Sequence, residues 1–230
     1  MINNDFNLKH NRTTANNIFK DMQMSQTKFN VLMGGAVLWG LICNFLICVF
    51  FETQIYGLAY LNPIVFILGY FALALLGATI QKNTTSAFIA FLGFNLICLP
   101  IGAVLNICVS EYSILSISYV CLITGAIVAI MIIISSMFPD CFSSLGPALF
   151  ASLIGIIIVE FVLVFLLGYN GHMIDYLVAA LFSLYVGYDW YNSQKCAATS
   201  YNAICCATDL YLDIINIFVR LLEILGKKKK

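Results

Sequence analysis

Charge is what this chain has least of. Of its 230 residues, 11 are Lys or Arg and 11 are Asp or Glu, 10% in all, where a soluble domain carries about 25%. A water-soluble globule is excluded on that ground. With a formal net charge of zero, so is a basic footprint for nucleic acid. Histidine is scarcer still: His10 and His172 are the only two, and both are expected outside the apolar runs. An intramembrane hydrolase built on a Ser–His pair therefore lacks its base, and no Gly-x-Gly-Asp motif supports an aspartyl protease. The nine cysteines show no Cys-x-x-Cys spacing and read as small buried hydrophobes kept reduced. Only Cys205-Cys206, expected in a loop, stands apart. The expectation is a protein that is not an enzyme and holds no resident cofactor.

What is present is hydrophobic, at 62% of the chain with a mean hydropathy of +0.96. Long uncharged runs separate the few charges. They predict an all-α membrane protein with seven transmembrane helices, at about 31–51, 63–80, 86–108, 114–137, 145–168, 172–191 and 207–225. Each run comes close to the ~20 residues a bilayer requires. Asn62-Pro63 opens the second span and Pro100 is expected to kink the third. Residues 1–29 read as a polar cytoplasmic tail with no cleavable signal pattern, and Lys227 to Lys230 as a basic tail. Lys9, Arg12, Lys20 and Lys28 favour an inner N-terminus, and the loops with Lys82 and Lys195 then also fall inside. The last helix breaks the pattern, because a full crossing carries the terminal lysines outside. Its length favours that crossing nonetheless.

The last helix also carries the densest polar pattern. Asp209, Asp213, Asn216, Arg220 and Glu223 follow one another at spacings of four, three, four and three. On a helix these lie along one side, a seam about 21 Å long at 1.5 Å per residue. Such a seam cannot face lipid, so the other helices are expected to wall it in, with the last helix central. Arg220 requires an acidic partner, for which Glu223, Asp175 and Glu160 are the choices. Glu160 sits deep in an apolar run and reads either as pore lining or as that partner. Asp209 reads as a cap on the helix N-terminus, and Asp175 and Glu223 as headgroup-level residues.

Asp189, near the end of the sixth span, and Asp213, expected in the first turns of the seventh, flank one connection. Two antiparallel neighbours can bring these carboxylates together. In a dry setting they cannot both ionise without cost, so the pair is expected to share a proton. Deprotonated, it offers oxygen ligands to a hard cation, so Asp189 and Asp213 form a transient calcium site. Tyr185 and Asn192 share a helical face with Asp189, and Asn216 lies three beyond Asp213. All three are expected to hydrogen-bond the pair.

The stretches Phe182-Ser-Leu-Tyr-Val-Gly-Tyr-Asp189 and Tyr211-Leu-Asp-Ile-Ile-Asn-Ile-Phe218, with their aspartates 24 residues apart, resemble the Bax inhibitor-like family. That family is also called the lifeguard or transmembrane Bax inhibitor motif family. The resemblance implies a seven-helix fold with the last helix central and an aspartate pair at Asp189 and Asp213. It implies a pH-sensitive calcium leak favoured by acid, and in eukaryotes suppression of cell death. The family's arginine latch on helix two has no counterpart here: between Pro63 and Ile80 there is no Arg or Lys, and Lys82 follows only at the end. Arg220 is the substitute to consider. The expected partners are the lipid bilayer, calcium and protons. The alternative is a non-conducting protein that binds other membrane proteins. A bacterial plasma membrane is the expected location, with the endoplasmic reticulum as the alternative.

Overall fold

A computed structural model describes residues 23–51, 62–166 and 173–229, with single positions 55, 57 and 168. Lys9, His10, Arg12, Lys20, His172 and Lys230 lie outside the described residues. Among the described residues the chain is all-helical, with eight α-helices. These are α1 (Gln26–Phe50), α2 (Pro63–Lys82), α3 (Ala87–Ser110), α4 (Ile114–Met137), the short α5 (Pro139–Ser143), α6 (Gly146–Phe161), α7 (Met173–Lys195) and α8 (Ser200–Leu225). A π-helical stretch, Val162–Leu166, extends α6.

Local chemistry sets several boundaries. Ser25, Asn62, Ser113 and Thr199 each accept a backbone N–H from the first turn of the helix that follows, and Pro63 occupies a first-turn position where no N–H is needed. Capping by Ser25 starts α1 within the stretch expected as polar tail. Capping by Thr199 starts α8 at Ser200, not near residue 207, so Cys205 and Cys206 are helical and not in a loop. α3 continues unbroken through Pro100.

α1 to α4 are each long and apolar enough to cross a membrane. α6 is apolar but has 16 residues before its π-helical extension. α7 and α8 have the length, 23 and 26 residues, but carry the charges. Large side chains such as Leu115, Leu122, Ile64 and Phe45 stand exposed on the outer faces, as lipid-facing surface requires.

α8 packs against α7, α1, α3 and α4. Its buried face is Ala203, Ala207, Leu210, Tyr211, Ile215, Ile217 and Leu222, with Asp213 among them. Tyr211 is fully buried, takes a 2.6 Å hydrogen bond from Asn44 Nδ2 of α1, and meets the Phe94 ring edge-on. α8 runs from one end of the bundle to the other. At its start, Tyr201 donates to the Gln81 carbonyl at the end of α2, and Met24 N donates to Ala198 O in the α7–α8 turn. Beyond its far end, the tail pairs with the α3–α4 turn: Ser113 N donates to Lys227 O and Lys229 N to Glu111 O.

α2 and α3 meet through glycine. A Cβ on Gly77 would stand 2.5 Å from the Gly93 carbonyl oxygen, closer than atoms tolerate, so the pair permits backbone-to-backbone approach. Gly77→Val is expected to force the two helices apart and cost about 1–3 kcal/mol. Thermal unfolding in detergent measures it, with Gly69→Val, where space is open, as the reference.

The tail contact has a charge component. Lys228 Nζ lies 2.8 Å from Glu111 Oε2, and hydrogen bonding to that carboxylate raises the lysine above its ordinary value. The pair needs an ionised Glu111 and a protonated Lys228. It is therefore complete at neutral pH and is lost as pH rises through the raised lysine value. Glu111→Gln is expected to loosen residues 227–229 at neutral pH as strong alkali does in the native chain, read by amide hydrogen exchange of Lys229. Because both side chains are exposed, global stability should barely move.

Candidate functional site

Two polar centres occupy α8, one near its middle and one near its end. The first is formed by Asp213 with Asp189. Asp189 lies six residues before the end of α7. Asp213 lies thirteen residues into α8, about 20 Å along its axis. That corrects the expectation of a residue in the first turns, because the helix begins earlier than its apolar run. The two side chains come within hydrogen-bonding reach of each other. Asp213 is buried at 5% exposure and Asp189 is half-buried. Asp213 Oδ2 is sealed from solvent and has no donor among the described residues. Two unprotonated carboxylates hold no hydrogen between them. A single shared proton would supply the missing donor.

Tyr185 and Asp209 lie within electrostatic reach of the pair. Asp209 is exposed and sits well inside α8, so it is not the cap: Thr199 fills that role. Asn216 turns back on its own helix and donates to the Leu212 carbonyl at 2.8 Å, not to the aspartates. The reason is local, since an amide in a helix can reach the carbonyl four residues back. Asn192 is exposed on the last turn of α7 and has no side-chain hydrogen bond to either aspartate. Among the described residues no group of three or more His, Cys, Asp or Glu side chains is arranged to hold a metal ion. A calcium ion at the pair would thus keep most of its water, since calcium takes six to eight oxygens.

The second centre gathers around Arg220, seven residues beyond Asp213 and about 10 Å further along α8. Its Nη2 lies 2.8 Å from Glu160 Oε1 of α6, and its Nη1 lies 2.8 Å from Asp175 Oδ1 of α7 and 3.2 Å from Glu223 Oε2. One guanidinium fork joins three helices. Arg220 is consequently no substitute for a latch on the aspartate pair. Asp175 is buried and, like Glu223, belongs to this cluster. The π-helical turn begins two residues after Glu160.

A third feature was not anticipated. Gln81, at the end of α2, is buried and donates its amide to Thr208 Oγ1 at 2.8 Å and to the Ala90 carbonyl at 3.2 Å. This neutral link joins α2 to α8 one residue before Asp209. The signal in the sequence is a lone glutamine closing an apolar run, beside a lysine that draws attention first. Lys82 itself is exposed.

Residues 22–230 match the family model described as Bax1-I, inhibitor of apoptosis-promoting Bax1. No curated protein matches the chain.

Proposed function

This chain belongs to the family of inhibitors of apoptosis-promoting Bax1, and from that premise we propose that it is a pH-sensitive cation leak whose principal ion is calcium. The observation that carries the reading is Asp213. A buried carboxyl faces a second carboxyl and has one oxygen without a donor among the described residues. Ionisable groups at membrane depth are costly and belong to ion or proton pathways by default. In this reading α1 to α4, α6 with its π-helical turn, α7 and α8 are seven crossings, and α8 is the central helix. Protonation of the Asp189–Asp213 pair resets how α7 and α8 pack, and that resetting gates the path. Tyr185 and Asp209 modulate the charge around it. Calcium and protons are the partners in transport, the bilayer is the medium, and a bacterial plasma membrane is the setting ahead of the endoplasmic reticulum. In this reading the protein is not an enzyme.

The test is calcium entry into proteoliposomes carrying the purified chain and a trapped calcium dye. Entry above that of protein-free vesicles, changing with pH, is the expected result. Entry equal to protein-free vesicles at every pH overturns the leak. The family description names an inhibitor of another protein, and that wording favours a second reading: a non-conducting membrane protein that binds a membrane partner. Absent flux together with a partner retained through gentle-detergent purification selects it.

A further inference from the structure

We propose that Cys196 and Cys206 are a peroxide-responsive thiol pair that closes into a disulfide across the turn joining α7 to α8. Their sulfurs lie 3.8 Å apart. A disulfide bond is about 2.05 Å long, so closure requires the sulfurs to approach by roughly 2 Å. Cys196 immediately follows the last residue of α7, and Cys206 lies in the second turn of α8. Both are half-buried and both are free thiols. The Cys196 thiol also reaches the Ser193 carbonyl at 3.2 Å, which steadies it on the side facing Cys206. Among the described residues the adjacent Cys205 makes no such sulfur contact with Cys196, and the Tyr201 hydroxyl one turn before it directs its proton to the Gln81 carbonyl. The geometry therefore selects one partner of two neighbouring cysteines.

The oxidant is hydrogen peroxide. The Cys196 sulfur, in the turn, attacks one peroxide oxygen. The O–O bond breaks, and the departing hydroxide takes the thiol proton and leaves as water. The product is a sulfenic acid on Cys196. The Cys206 sulfur then attacks the sulfenic sulfur. The S–S bond forms, the S–O bond breaks, and the hydroxyl leaves with the Cys206 proton as a second water. Two thiols lose two electrons and one peroxide becomes two waters. A thiol reductant reverses the sequence by exchange, as expected of a sensing disulfide in a reducing compartment.

Closure would tie together the two helices that carry Asp189 and Asp213. Asp209 lies three residues past Cys206, and Asp189 seven before Cys196. Any effect on flux rests on the leak proposed above, whereas the thiol chemistry does not.

The full chain in detergent is treated with hydrogen peroxide, blocked with an alkylating agent and peptide-mapped. A cross-link between residues 196 and 206 is expected, reversed by dithiothreitol, retained in Cys205→Ser and lost in Cys196→Ser. In the latter variant Cys206 should remain alkylatable. Cross-links that run through Cys205 as often as through Cys206 overturn the proposal, as does full alkylation of both thiols after peroxide. In vesicles, oxidised native protein is expected to pass calcium at a rate at least twofold different from the reduced form, with Cys206→Ser insensitive to peroxide. A formed disulfide with unchanged flux overturns its role in gating. No flux in the reduced protein sinks the leak while the mapping still decides the thiol pair.

Discussion

Replacing Asp213 by Asn is expected to flatten the pH dependence of calcium flux. The substitution keeps the shape of the side chain and removes the titrating oxygen. It also supplies a permanent N–H donor where the proposed gate relies on a shared proton. Asp213 is buried against Asp189, and its Oδ2 has no donor among the described residues. The Asn amide can bond the Asp189 carboxylate at every pH, so α7 and α8 stay in the arrangement that the shared proton would favour. One unit of difference in proton affinity between two conformations corresponds to about 1.4 kcal/mol, or a tenfold change in their ratio. A native flux that varies roughly tenfold between acid and neutral pH should vary less than about twofold in the variant. Asp189→Asn should act the same way from the other helix, less completely because Asp189 is half-exposed. Flux measured in dye-loaded vesicles across pH decides the matter. A native pH profile in both variants would remove these aspartates from the gate.

Arg220→Met should produce the largest loss of stability. The guanidinium holds Glu160, Asp175 and Glu223 within 2.8 to 3.2 Å. Without it, three carboxylates from three helices face one another with no positive charge between them. Removing one member of a buried ionic cluster costs about 3–5 kcal/mol. The Arg220 side chain is 21% exposed and Glu223 39%, so water recovers part of that, and roughly 3 kcal/mol is expected. For a chain of this size the melting temperature should fall by roughly 6–12 °C. Arg220→Lys should fall less, since it keeps the charge and loses the planar fork. Adding Glu160→Gln to Arg220→Met should restore part of the loss by removing one stranded charge. Thermal unfolding of the purified variants in detergent reads all three. A drop no greater than that of Lys28→Met would mean the cluster does not fasten these helices.

Much of this was legible in α8 because polar residues at intervals of three and four mark one side of a helix. The same intervals could not show where the helix begins. Ser200 to Cys206, which opens with Ser, Tyr and Asn, reads as a loop, and Thr199 as the helix cap is evident only from the bond it makes. The aspartate pair was found from two residues flanking one turn. The roles given to Asn192 and Asn216 were not, because a shared face does not fix which group an amide will bond. Asn216 had a carbonyl of its own helix within reach. Arg220 had three acids to choose from on paper and bonds all three, which depends on how α6 and α7 pack and not on spacing along the chain. Gln81 and the Cys196–Cys206 approach are tertiary in the same sense: each joins residues whose proximity no local pattern encodes.

The amide of Gln81 gains and loses no hydrogen ion across the range in which cells live, so the brace it makes with Thr208 grips equally in acid and in base. α2 thus acts on α8 as a fixed anchor. Any acid-sensed motion of α8 must pivot about that point, with the carboxylates as the moving part and the glutamine as the pin.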